Sequence, residues 1–177
     1  MTKTLSRRVA RTGAVAAMAV LAAACGGSGD GTRTVTAADY SFQDLPKSVD
    51  AGTTFTFKNS STKELHEMVM IRIPDSEKRP VSELVRLPES EQNAIFGTAE
   101  PAMVLLAGPN GGEMIKAVGD GKVTEKGRYA VVCFIPTGVD PAVYLAAAQA
   151  STGGPPNIPN AGPPHAVQGM FGEITVK

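Results

Sequence analysis

The feature that most limits the possible folds is a set of short segments in which apolar and polar residues alternate. The clearest is segment 53–59, where Phe55 and Phe57 share one face and threonine or lysine residues share the other. Successive residues of a strand point to opposite faces, so this pattern predicts a half-buried antiparallel strand. Strand-like segments also occur at 32–42, 66–73 and 129–135, and the chain ends in another. We therefore expect an all-β fold.

Composition supports one turn-rich domain. A chain of 177 residues that is 42% hydrophobic can bury one good core. Its 19 glycines and 13 prolines favour short strands over a helical bundle. The formal net charge is zero, and there is no basic patch beyond the first dozen positions. We therefore expect no nucleic-acid binding. We also expect a monomer.

Two stretches interrupt the strand pattern and are interpreted as insertions, at about 75–122 and 136–163. The first begins with two proline-led segments, 80–87 and 88–97, which predict short helices that cover a sheet edge. The second contains a third predicted helix, with Asp140 as its N-terminal cap. The predicted architecture is a β-sandwich with short helical insertions.

The N-terminus has the pattern of an export signal. Residues 1–24 combine a basic start with an apolar stretch that is too short to span a bilayer, and Cys25 follows. Segment 21–25 resembles the lipobox of bacterial lipoproteins, which implies a lipid on Cys25. Segment 25–31 then forms a flexible tether, and 32–177 forms the domain. We expect an extracytoplasmic protein, held by lipid at the outer face of the cytoplasmic membrane; an ordinary signal peptide with a cysteine nearby is the alternative.

A lipid on Cys25 would leave Cys133 without a partner, because the chain has two cysteines. An unpaired thiol in an oxidising compartment needs an explanation, which can be burial, an intermolecular bond or a metal. Burial alone is a sufficient explanation, since free cysteine is among the most buried residue types.

Four residues together indicate a metal site. His66 and His165 are the only histidines of the chain, Cys133 lies in the strand-like segment 129–135, and Met170 precedes the last strand. A thiolate, two imidazoles and a weak thioether are the ligands of a blue-copper electron-transfer site. Taken singly, each could be structural: a strand-end histidine, a loop histidine, a buried cysteine and a core methionine. Met68 and Met70 could add thioether ligands, but core packing is the better interpretation.

The order and spacing of these residues resemble those of the cupredoxins, the family of plastocyanin. The resemblance comprises the four residues between His165 and Met170, the Gly-x-Tyr-x-x-x-Cys run at 127–133, and segments 39–42 and 51–59. It implies a Greek-key β-sandwich with one type 1 copper ion at one end. His66, Cys133 and His165 would be the main ligands, with Met170 axial.

The 31 residues between Cys133 and His165 depart from this family, in which the corresponding loop is short. Loop closure costs about 0.6 kcal/mol per doubling of length, so a loop of this length in place of one of about four residues costs about 2 kcal/mol more. Metal binding at thiolate and imidazole sites contributes on the order of 10 kcal/mol, so loop entropy does not forbid the site.

The expected function is one-electron transfer with an unidentified protein partner, through the imidazole edge of His165 where that edge reaches the surface. A copper delivery or storage lipoprotein, or a copper-free protein-binding module, is the alternative. We expect no enzyme, because four protein ligands leave no open position for a substrate. The sequence also contains no serine–histidine–aspartate arrangement, acid dyad, phosphate-binding glycine loop or Cys-x-x-Cys.

Overall fold

A computed structural model describes residues 31–97, 99–151 and 156–177, which form a sandwich of two mixed β-sheets. The strands are β1 (Thr32–Ala38), β2 (Ser41–Gln43), β3 (Ser48–Val49), β4 (Thr53–Asn59), β5 (His66–Arg72), β6 (Met103–Ala107), β7 (Met114–Val118), β8 (Lys122–Val123), β9 (Gly127–Val132) and β10 (Phe171–Val176). The helices are α1 (Val81–Leu84), α2 (Glu89–Phe96), α3 (Pro141–Ala150) and a 3-10 helix, His165–Gln168. The predicted β-sandwich with short helices is confirmed.

The first sheet has the strand order β2-β1-β4-β8, and the second has the order β3-β10-β9-β5-β6-β7. Strands β1 and β4 are parallel, and so are β3 and β10, whereas the other neighbours are antiparallel. Strand β5 pairs with β9, placing its first residue, His66, in the same sheet as the strand that leads to Cys133. This pairing positions two of the predicted ligands.

The main core lies between the two sheets. In β4, Phe55 and Phe57 are buried while Lys58 is exposed, which confirms the predicted alternation. The predicted antiparallel orientation was wrong for the longer pairing, because β4 runs parallel to β1 and is antiparallel only to the short β8. Met170 and Cys133 belong to the same apolar cluster. Two of the four candidate ligands are therefore part of the core.

Strand β5 is buried on both faces, and helix α1 packs on the outer face of the second sheet, beside β9 and β10. A smaller apolar cluster fills this outer layer, with Leu84 of α1 packed near Ile73 and Val132. Helix α1 thus covers a sheet face and contacts β10. The expectation that the helical segments cover a sheet edge stays a prediction.

The second half of segment 75–122 also differs from the prediction. Strands β6 and β7 continue the second sheet outward from β5, so this part of the chain is not an excursion from the sheet. The physical reason is the buried position of β5: its free edge needs backbone partners, and the apolar segment of β6 supplies them.

The predicted signal segment 1–24, Cys25 and most of the predicted tether lie outside the described residues. In the part of the chain that the structure describes, no helix is long and apolar enough to cross a membrane.

Candidate metal centre

A buried asparagine fixes the loop that leads into His66. The side-chain amide of Asn59 donates to the carbonyls of Glu64 and Ala107, each at 2.8 Å, and its oxygen accepts the N–H of Ser61 at 2.9 Å. Asn59 is 2% exposed, so these hydrogen bonds are shielded from water. They fix the backbone just before the first ligand candidate.

Backbone hydrogen bonds place the other three candidates side by side. Beyond the end of β9, the N–H of Cys133 donates to the carbonyl of Met170 at 3.2 Å, and the carbonyl of Cys133 accepts the N–H of Ala166 at 2.9 Å. The turn from His165 to Met170 closes through Gly169, whose φ of 115° suits glycine. The antiparallel pairing of β9 and β10 thus extends into the site.

The long loop between Cys133 and His165 is closed at its base. The N–H of His165 donates to the carbonyl of Ile135 at 2.9 Å. Both the N–H and the hydroxyl of Thr137 donate to the carbonyl of Pro163 at 2.9 Å. These bonds form a short ladder at the loop base, which holds His165 beside Cys133 at the end of this long loop.

The structure brings His66, Cys133 and His165 together. Their donor atoms all lie within 4.8 Å of one another, and each of the three residues is 0% exposed. The Nδ1 atoms of His66 and His165 are 3.1 Å apart, and His165 Nδ1 is 3.4 Å from Cys133 Sγ. Two donors that each lie about 2 Å from a shared ion must be roughly 3 to 4 Å apart. The 3.1 and 3.4 Å distances meet this requirement, and with all three donors gathered within 4.8 Å the set fits one copper ion.

Met170 is also 0% exposed, and its backbone pairs with that of Cys133. This pairing places it next to the donor cluster. Met68 and Met70 are buried in the core cluster, and they lie on β5 opposite Leu105 and Met103 of β6.

Burial keeps the two imidazoles in the neutral form. Burial, together with the charge of the neighbouring His165, lowers the pKa of His66 to about 4. Burial also lowers the pKa of His165, against the opposing effect of Glu64. Both imidazoles are therefore neutral at neutral pH, the state in which they bind metals.

The pKa of the Cys133 thiol shifts in the opposite direction to those of the two histidines. Burial, reinforced by the carboxyl group of Glu67, raises the pKa of Cys133 far above its ordinary range. The backbone N–H of Glu67 points at Cys133 Sγ from 3.5 Å and favours the thiolate. In the absence of a cation, the burial effect dominates and the thiol keeps its proton.

Glu67, a buried carboxyl group beside the donor cluster, is a site residue that was not predicted from the sequence. Its Oε1 accepts the N–H of Phe134 at 3.0 Å, and the hydroxyl of Tyr144 on α3 lies 3.5 Å from its Oε2. These contacts connect the long loop to the strand that begins with His66. Burial raises the pKa of Glu67 to about 7, against both of these contacts. The available sequence signal was an acid directly after His66, at the start of an otherwise apolar strand.

The imidazole of His165 does not reach the surface, contrary to the expected electron route. The ring of Tyr40 packs edge-on against it with a centroid distance of 5.1 Å. Glu64 Oε2 lies 3.6 Å from His165 Nε2. Tyr40 and Glu64 are both partly exposed, so these two side chains form the boundary between the imidazole and solvent.

No family model matches the chain, and no curated protein matches it by sequence. Its fold is similar to that of dithionite-reduced auracyanin from Roseiflexus castenholzii, at 19% identity over 83% of this chain and 97% of that chain, with a TM-score of 0.41. It is also similar to auracyanin A, a "blue" copper protein from Chloroflexus aurantiacus, at 17% identity over 82% and 98% of the two chains, with a TM-score of 0.41. Auracyanin B gives 16% identity over 82% and 88%, with a TM-score of 0.36. At these values the likeness assigns no residue role, so the ligand assignment depends on this chain's own donor atoms.

Copper binding should release one proton, because a thiol with a raised pKa must lose its proton to become a ligand while both histidines are already neutral. Between roughly pH 7.5 and 9, the apparent Cu(I) affinity should rise about tenfold per pH unit. Anaerobic competition with a Cu(I) chelator of known pH dependence measures this slope. An affinity that does not change with pH would show that the thiol is not a ligand.

Glu67→Gln should change how stability depends on pH. A carboxyl group whose pKa rises from 4.5 to about 7 on folding stabilises the fold fully below pH 4.5, and this contribution is lost as pH rises through 7. For a shift of this size the loss is on the order of 3 kcal/mol. Relative to wild type, the metal-free Glu67→Gln variant should therefore gain stability between about pH 5 and pH 8 in urea unfolding.

The matched control is Glu113→Gln, which changes an exposed glutamate. Its stability relative to wild type should be the same at both pH values. A pH-independent difference for Glu67→Gln as well would contradict the assignment of a raised pKa to Glu67.

Proposed function

We propose that the protein is an exported one-electron carrier with a type 1 copper site. His66 Nδ1, Cys133 Sγ and His165 Nδ1 are the three main ligands, and Met170 is the axial one. Copper bound there supplies the Cu(II)/Cu(I) couple. The protein holds the ligands in one geometry for both oxidation states, which keeps the rearrangement on electron transfer small.

The main support for this proposal is that three buried donor residues, His66, Cys133 and His165, come together at one end of the β-sandwich. Asn59 fixes the approach to His66, and the β9–β10 ladder fixes the relation of Cys133 to His165 and Met170. No donor depends on a free loop end. Such a site favours constant ligation over ligand exchange.

Complete burial favours an electron carrier over a copper delivery or storage protein. His66, Cys133 and His165 are 0% exposed. Direct transfer of copper to another protein requires an incoming ligand to reach the ion, and these side chains offer no open approach. An electron needs no such opening and can pass through the side chains that cover His165.

Attachment to the outer face of a membrane through a lipid on Cys25 is part of the proposal. It is supported by the export signal in segment 1–24 and by the small-residue tether that follows. A tethered carrier would meet its protein redox partner at the same membrane surface. Catalysis has no role in this proposal, because four protein ligands leave no position for a substrate.

The visible spectrum tests the copper site. Residues 26–177 expressed without the signal should bind Cu(II) and show an intense thiolate-to-copper charge-transfer band. The band should be absent in Cys133→Ser, because serine cannot supply the sulfur donor. A colourless wild-type protein that loses copper as readily as the variant would refute the proposal.

Met170→Leu tests the axial ligand. Removing the thioether should leave the visible band in place and raise the reduction potential, because the weak axial donor tunes the potential of such sites. Met68→Leu is the matched control, since Met68 is equally buried and packs in the core. Spectroelectrochemical titration of both variants measures the difference. Equal potentials in the two variants would exclude Met170 as a ligand.

Cys25→Ser tests the membrane attachment. In a bacterial host that processes lipoproteins, the full chain should sediment with membranes, whereas Cys25→Ser should appear in the soluble extracytoplasmic fraction. Cys133→Ser should remain with membranes, because it leaves the attachment site unchanged. Equal membrane association of wild type and Cys25→Ser would disprove the lipid tether.

A further inference from the structure

The two nitrogens of His165 have different surroundings. Nδ1 faces the donor cluster, 3.1 Å from His66 Nδ1 and 3.4 Å from Cys133 Sγ. Nε2 faces the other way, and Glu64 Oε2 is 3.6 Å from it. Nδ1 is thus the nitrogen placed for a metal, and Nε2 is the nitrogen placed for a carboxylate.

A neutral imidazole carries a single N–H group. If Nδ1 binds a metal, the proton must be on Nε2. In the described residues this nitrogen is buried and makes no hydrogen bond, since 3.6 Å is longer than a hydrogen bond. A buried donor without an acceptor is unfavourable, and the carboxylate of Glu64 needs only a small side-chain movement to accept it.

Glu64 is held in position for this contact. Its backbone N–H donates to the hydroxyl of Ser61 at 3.0 Å, and its carbonyl accepts from the amide of Asn59 at 2.8 Å. The Tyr40 hydroxyl lies 3.5 Å from Glu64 Oε1, while the Tyr40 ring packs against His165. The Glu64 side chain is 17% exposed, so its carboxylate is partly shielded from water.

We propose that Glu64 is a positioning residue for His165: its carboxylate accepts the Nε2–H, keeps Nδ1 free as the ligand, and lowers the reduction potential of the site. The inference rests on the proposed function and deepens it. A carboxylate that accepts from the second nitrogen of a ligating histidine fixes its tautomer and makes it a stronger donor. A stronger donor stabilises Cu(II) more than Cu(I), which lowers the potential.

The first test uses the full chain without metal, so it does not depend on copper. ¹⁵N NMR of the imidazole nitrogens identifies the tautomer of His165. The proton should be on Nε2 in wild type and in Glu64→Gln, which keeps a neutral acceptor, and this preference should be lost in Glu64→Ala. A wild-type His165 protonated on Nδ1, or a tautomer that Glu64→Ala leaves unchanged, would overturn the proposal.

The second test is the reduction potential of the copper-loaded full chain. Glu64→Gln should raise it, because the neutral acceptor makes the imidazole a weaker donor. The expected change in the ratio of Cu(II) to Cu(I) affinity is about tenfold, equivalent to about 59 mV for a one-electron couple. Tyr40→Phe should give a smaller rise, since it removes the hydroxyl beside Glu64 while keeping the ring on His165.

Asp39→Asn is the matched control for charge alone. Asp39 is exposed, and it is close enough to influence both histidines electrostatically. The substitution removes one negative charge near the site without removing the group placed against His165 Nε2. The potential of Asp39→Asn should therefore rise clearly less than that of Glu64→Gln. Equal shifts in the two variants would show that Glu64 acts only through its charge and would overturn the positioning role.

The two tests separate this inference from the proposed function. A chain that binds no copper through Cys133 would refute the electron-carrier proposal, while the NMR experiment would still decide whether Glu64 sets the tautomer of His165. Conversely, an intense charge-transfer band with a tautomer insensitive to Glu64→Ala would leave the carrier in place and refute the role of Glu64.

Discussion

The backbone pairing between the end of β9 and the turn from His165 to Met170 is the constraint on which the site depends. Two hydrogen bonds join Cys133 to Met170 and Ala166, and a third joins Ile135 to His165. They continue the antiparallel register of β9 and β10 beyond the strands themselves. Three candidate ligands are therefore placed by sheet geometry, and the fourth, His66, is placed by the pairing of β5 with β9.

This constraint explains how a 31-residue connection is compatible with a compact site. A ladder of backbone hydrogen bonds at the loop base joins Ile135–Thr137 to Pro163–His165. It brings the two ends of the loop together, as a short loop would otherwise do. Above it, Tyr144 on α3 contacts Glu67, so the loop also packs against the ligand strand. The additional chain length is accommodated away from the donor atoms.

Local patterns predicted the features that depend on local sequence. The alternation around Phe55 and Phe57 correctly indicated β4, and the order of the histidines and Cys133 indicated residues that the structure brings together. The pairing of β6 with β5, the burial of Glu67 and the cover of His165 by Tyr40 and Glu64 were not predicted. Each of these depends on contacts between distant segments, and no periodicity within one segment records them.

If His66, Cys133 and His165 hold one copper ion, the same ligands should be bound in both oxidation states. X-ray absorption spectroscopy at the copper edge, on the oxidised and the reduced protein, tests this directly. We expect one sulfur and two imidazole nitrogens at bonding distance in both states, with little change in the distances. Absence of the sulfur, or loss of a nitrogen on reduction, would contradict it.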